Sequence, residues 1–202
     1  MSSIEEIREM VESSLDEEEE SREMAYSLSR ELIRLCRNFI SRIHNREKVL
    51  EADLMDEAME LIEISQDPRC QRFGFIDDSL TELAEAIIFL RMMNDEELPS
   101  PHEINVNERS YLLGVCDAIG EMRRVVLNHL LKEEMEEALM SFDRMAEASR
   151  LVRGLSYPSG LIPLKKKQDI VRALMDRTAG EITFAKYSLR TTVPREQDDK
   201  GQ

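Results

Sequence analysis

A chain of 202 residues has room for one domain, or one domain with tails. Hydrophobic residues make up 42% and charged residues 34%, which allows a sizeable core under a heavily charged surface. The net charge of −15 argues against broad, non-specific adhesion to nucleic acid. Three cysteines without CxxC spacing argue against a disulfide framework or a zinc site.

The charge is uneven. Residues 150–202 hold 11 Lys and Arg against 6 Asp and Glu, so the acidic excess lies in the first three quarters of the chain. A nucleic-acid partner would need a secluded basic zone, as a closed particle with an acidic outside and a basic inside would provide. The N-terminus is too acidic for a targeting peptide, and no apolar run reaches membrane-spanning length. The expected setting is the cytoplasm, with no membrane partner.

Few glycines and prolines, abundant Leu, Ala, Glu and Arg, and no Asn-Gly or Asp-Gly pair predict an all-α fold. Residues 2–13 read as a short helix capped by Ser2 with Glu5, and Asp16 to Glu20 as a solvated first turn before the next helix. That helix, residues 21–45, has Met24, Leu28, Leu32, Leu35, Phe39 and Ile43 at helical spacing, and Arg30, Arg34 and Arg37 on a separate stripe. A helix over 47–65 follows, with Val49, Leu50, Leu54, Ala58, Leu61 and Ile62 inward. The segment QDPRCQRFGF (Gln66 to Phe75) reads as a loop that sets Arg69 and Arg72 beside Phe73 and Phe75. That mixture suits backbone contact and base stacking on single strands, although aromatic loop residues commonly serve as anchors.

Further helices are predicted over 77–94, 107–131, 133–153 and 164–190, with a proline-bearing linker at 94–105, a loop from Leu155 to Pro163, and a disordered tail over 191–202. The division is an acidic segment 1–20, a helical domain 21–190 and the tail. The architecture is an antiparallel bundle of about six to seven helices.

Chemistry concentrates on two of these helices. In LTELAEAIIF (Leu80 to Phe89) the only ionisable groups are Glu82 and Glu85, and in YLLGVCDAIGEM (Tyr111 to Met122) the only charged ones are Asp117 and Glu121. Helices so apolar are expected to be buried, which would put four carboxylates at low dielectric. Separations of three and four residues place each pair on one face, and Gly114 and Gly120 beside the second pair would let another helix come close. Oxygen donors without Cys or His favour Mg²⁺, with Mn²⁺ the alternative. Neutralisation by Arg91, Arg123 and Arg124 is the competing structural account. No Glu-x-x-His spacing supports a di-iron site, no histidine is placed to activate Cys116, and no Gly-rich phosphate loop is present. The run Lys165 to Lys167 opens the last helix, where cations oppose the helix dipole, so a contact outside the helix is the natural reason for it.

Several segments resemble the translin and translin-associated factor X family. LLGVCDAIGEMRR (Leu112 to Arg124) resembles its aspartate-bearing segment, and LTELAEA (Leu80 to Ala86) its paired-glutamate helix. LSRELIRLCRNFISRIH (Leu28 to His44) is similar to its first long helix, and RLVRGLSY with the final helix to its C-terminal region. The likeness covers about residues 20–190 in the same order.

The resemblance implies a translin-like fold assembled into a closed, octameric shell, and a Mg²⁺-dependent endoribonuclease acting on single-stranded RNA. By position Glu82, Glu85 and Asp117 match the catalytic carboxylates, and Glu121 a fourth acid that would share the metal. Arg34, Arg37, Arg69, Arg72 and Arg124 match or neighbour basic positions for RNA. One departure is Arg153 before Gly154, where relatives carry an acid. Two other readings remain: a non-catalytic shell binding RNA or single-stranded DNA, and an all-α nucleotide pyrophosphatase.

Overall fold

The computed structural model describes residues 3–65 and 73–192. They form α1 (Ile4–His44), α2 (Glu51–Ser65), α3 (Gly74–Met93), α4 (Glu108–Leu131), α5 (Met135–Val152) and α6 (Leu164–Thr192). No strand occurs among the described residues, as the sequence predicts. Two compact units divide the chain, Met1–Ala118 and Ile119–Gln202, and the boundary falls inside α4.

In the first unit α1 packs on α2 and α3. Its buried face is Ala25, Ser29, Leu32, Cys36, Phe39 and Ile43, alternating steps of four and three residues as in a coiled-coil seam. The predicted stripe is right at Leu32, Phe39 and Ile43 and corrected elsewhere: Met24 is exposed, Leu28 and Leu35 are half-buried, and Ala25, Ser29 and Cys36 complete the seam. The small residues on that seam let α3 come close, and Ser79 donates to the hydroxyl of Ser29 across it at 3.4 Å.

A second correction concerns the N-terminus. Asp16 to Glu20 do not open a new helix; they lie inside a single helix of 41 residues. Glutamate is a good helix former, and nothing in the segment breaks the backbone hydrogen bonds. The capping box is also one residue further on. Ser3 accepts from the amide of Glu6 at 3.1 Å, and the Glu6 carboxylate accepts from the amide of Ser3 at 2.8 Å.

The second helix begins at Glu51 rather than 47, so Leu50 lies outside it and is exposed, while Leu54, Ala58 and Ile62 are buried. The third begins at Gly74, so Phe75 is helical; residues 66–72, including Arg69 and Arg72, lie outside the described residues. The linker after α3 is pinned by Tyr111, whose hydroxyl donates to the Pro99 carbonyl at 2.6 Å. Asn107 then starts α4. Its side-chain oxygen accepts from the amide of Ser110, and its amide nitrogen donates to Asp77 of α3, each at 2.9 Å.

In the second unit Glu133, at φ 61°, ends the run from α4, so α5 is a separate helix and not a bent continuation. The fifth helix closes at Arg153, followed by Gly154 at φ 84°, a left-handed conformation that favours glycine. The Gln168 side chain of α6 donates to the carbonyls of Val152 and Leu155 at 2.7 and 2.8 Å, which fixes the loop after α5. The last helix reaches Thr192, two residues past the predicted limit, and 193–202 lie outside the described residues.

Candidate functional site

In the first unit α3 and α4 approach closely at Gly114. A Cβ on Gly114 would lie 2.6 Å from the Cβ of Ala84, 2.9 Å from the amide nitrogen of Glu85 and 2.9 Å from the carbonyl oxygen of Thr81. Two helix backbones therefore touch at the turn that carries Glu82 and Glu85. Asp117 follows Gly114 by three residues, so it stands nearly one turn further along the same side of α4. Glycine at 114 creates this approach, as its position beside the acids predicted. At Gly120 a Cβ would meet only the Leu174 side chain at 4.0 Å, an ordinary contact, so the expectation of a second close approach fails there.

The first helix supplies the third wall. Burial pushes the Cys36 thiol far above the ordinary thiol range, and the nearby charges of Glu82 and then Glu85 push it further. Both glutamates thus lie within electrostatic reach of the α1 seam. The sequence pointed to Cys116 as the cysteine next to an acid; Cys36, a small residue at a seam position, was missed.

The four acids are less buried than expected. Glu82 and Glu121 keep 24% and 20% of their side-chain surface, and Glu85 and Asp117 are also half-buried. Each occupies the one side of its helix that faces away from the core, where water and ligands reach it. Deep burial in low dielectric is therefore corrected to a partly wet edge.

Two acids hold arginines. Arg37 of α1 donates to Glu82 at 3.1 Å, and Arg124 donates to Glu121 at 2.7 Å, one turn apart on α4. Of the three arginines put forward as neutralising groups, only Arg124 has this role. Arg91 pairs with Glu51 at 2.6 Å and Glu96 at 3.2 Å, and Arg123 grips Glu181 through two contacts of 2.7 and 2.9 Å. Arg34 stands on the exposed face of α1 with Glu31 at 3.2 Å, so it is available at the surface but not joined to the acids.

The donor set suits a hard divalent cation, being all carboxylate and open to solvent. Among the described residues, however, no three Asp, Glu, His or Cys side chains are arranged to hold an ion. The aromatic residues before the acids form a clasp. Phe73 and Phe75 stack at 5.4 Å, Tyr26 of α1 meets Phe75 edge-on at 5.5 Å, and Arg30 lies over the Tyr26 ring at 5.9 Å. This is the anchoring role: the rings fasten the start of α3 to α1. The four-residue step from Tyr26 to Arg30 was the signal available in the sequence.

Comparison with known proteins agrees with this geometry. The model for the Translin family matches residues 6–180. An uncharacterised protein of Methanocaldococcus jannaschii is 30% identical over 165 residues, covering 80% of this chain and 74% of that one. The structure of the AfC3PO–duplex RNA complex superposes with a TM-score of 0.78 at 28% identity, covering 92% of this chain and 98% of the other. A crystal structure of AfC3PO gives a TM-score of 0.77 at 30% identity, covering 89% of this chain and 97% of the other. Apo-NeC3PO gives 0.77 over 92% and 100%, but at 18% identity it speaks to the fold alone. With six helices among the described residues and a family match over most of its length, the chain belongs to the translin family.

Proposed function

We propose that this chain binds RNA and hydrolyses it as a Mg²⁺-dependent endoribonuclease, working in the cytoplasm within a closed oligomer of its own copies, an octamer by the resemblance. The observation that carries the reading is the backbone contact of α3 and α4 at Gly114, which sets Glu82, Glu85 and Asp117 on adjoining turns beside Arg37. The RNA partner is supported by AfC3PO, a 28% identical chain solved with duplex RNA. Single strands are the substrate proposed, as the family resemblance implies.

Glu82, Glu85 and Asp117 are the residues proposed to hold the cation, with Glu121 on the next turn of α4. A bound Mg²⁺ lowers the pKa of a water and offsets negative charge on a phosphoryl oxygen. The remaining steps belong to the protein. An arriving phosphodiester competes with Glu82 for the Arg37 guanidinium, since its two non-bridging oxygens can accept in a bidentate geometry that the single 3.1 Å contact with Glu82 lacks. The released carboxylate is then free for the cation, and Arg37 orients the scissile phosphate. Arg34, three residues earlier on the same exposed face, steers the strand, and Arg124 acts similarly on α4. One carboxylate of the set accepts the proton of the attacking water.

The deciding experiment incubates the full chain with labelled single-stranded and duplex RNA, with Mg²⁺ and with chelator. Cleavage of the single strand that chelator abolishes supports the proposal. A second reading, binding without cleavage, draws on the pairs Arg37–Glu82 and Arg124–Glu121, which could serve structure alone. Retention of RNA on prolonged incubation with Mg²⁺, with no product, would select it.

A further inference from the structure

The apolar side chains in the first turns of α1 lie at the surface of the described residues. Ile4, Ile7, Met10, Val11 and Leu15 are all exposed, from 47% at Ile7 to 80% at Ile4. Their placement is not random. Counting back from the buried seam of Ala25, Ser29 and Leu32 in the same steps of three and four passes Arg22 and Glu18, then reaches Leu15, Val11, Arg8 and Ile4. The arm therefore carries apolar positions of the α1 packing face past its last buried residue, Ala25. A sustained exposed apolar stripe of this kind marks an interaction surface.

The charge of the arm narrows the partner. Residues 4–23 carry ten Asp and Glu against Arg8 and Arg22. That density repels an anionic lipid surface and nucleic acid, and it repels a second arm laid alongside. The fitting partner is a basic surface with apolar hollows.

This chain has one such surface, around the first three turns of α6. Residues 164–177 hold five Lys and Arg against two Asp. Two hollows adjoin at Lys165. One, of about 800 Å³, lies between the end of α5 and α6 and includes Arg153, Arg172, Val152 and Met175; the other, shallower at about 630 Å³, includes Lys166 and Ile170. Arg153 donates only to the Ser149 hydroxyl, at 3.5 Å, and has no carboxylate partner among the described residues. Ile4 to Leu15 and Lys165 to Asp176 each span about 17 Å of helix, so stripe and groove match in length.

We propose that the acidic N-terminal arm of one copy docks in the Arg153–Lys165–Arg172 groove of a second copy. The stripe fills the hollows and the glutamates meet the cations; Lys165 and Arg172 already share Asp169, at 3.1 and 3.6 Å, so the arm adds carboxylates to a cluster that keeps a cationic excess. Such a contact joins two different surfaces, so repetition builds a ring. The proposal concerns assembly and stands apart from the nuclease reading.

The test measures the native mass of the full chain beside two double variants, Val11→Asp with Leu15→Asp, and Lys166→Glu with Arg172→Glu. The expected result is a multimer that each double variant reduces to smaller species, with helical circular dichroism unchanged. Adding Glu12→Lys and Glu19→Lys to the Lys166→Glu, Arg172→Glu chain is expected to restore the larger mass at low salt. A monomeric native chain, or an arm variant that keeps the native mass, overturns the proposal. So does a groove variant that keeps its mass but loses RNA, since the groove would then be a nucleic-acid contact.

Discussion

Gly114 faces Ala84 so closely that a single added methyl group would stand 2.6 Å from the Ala84 Cβ. The other two near atoms belong to backbone, so nothing nearby can rotate away. Gly114→Ala is expected to lower stability by about 1–3 kcal/mol, the usual cost of forcing an extra methylene into a packed interface. Urea unfolding measures it. Because the strain falls at the Glu85 amide, cleavage should suffer more than RNA binding in chains that remain folded.

Asp117→Asn keeps the size of the side chain and removes its charge. Under the proposed mechanism it reduces Mg²⁺-dependent cleavage by roughly 10²-fold or more while leaving RNA retention near the native level. Filter binding and a cleavage time course on one preparation separate the two effects. A still-folded variant that cleaves at the native rate would remove Asp117 from the centre.

Arg37→Ala breaks the 3.1 Å contact with Glu82. The arginine is largely exposed, so the loss of folding stability should stay within about 1 kcal/mol. RNA affinity should weaken, and the log–log dependence of affinity on salt should flatten by about one. Equal salt slopes for both proteins would show that Arg37 reaches no phosphate.

The Cys36 thiol, held neutral by burial and by Glu82 and Glu85, should react with thiol reagents only when the chain unfolds. The same shift has a pH consequence. The unfolded thiol ionises from its ordinary value of 9.0, while the folded one retains its proton to a much higher pH. Its contribution to stability is therefore complete below about pH 9 and declines as pH rises beyond it. Denaturation midpoints for the native chain and Cys36→Ser at pH 8 and pH 10 check this; the native chain should lose more between them.

Helices and the acid pairs were legible in the sequence because they depend on neighbours within one turn; the capping box was read one residue early, since Ser2 with Glu5 and Ser3 with Glu6 offer the same spacing. Glu82 with Glu85 and Asp117 with Glu121 stand out as isolated charges on apolar helices, and Gly114 beside them announced a close approach. The length of α1 was missed because Asp16 to Glu20 look like a helix start as readily as a helix interior. Its buried face was legible at Leu32, Phe39 and Ile43 but not throughout, because Met24, Leu28 and Leu35 share the helical period with the true seam. Small residues such as Ala25, Ser29 and Cys36 do not register as apolar signals.

Tertiary structure alone decided which charges meet. Arg37 and Glu82 are 45 positions apart, and no local rule pairs them. Whether an acid on an apolar helix is buried or sits at a wet edge depends on which neighbours cover that face, and here the neighbours leave it half open. Local backbone preference and periodicity are written into consecutive residues; ion pairs between helices arise only when separate segments are packed against one another.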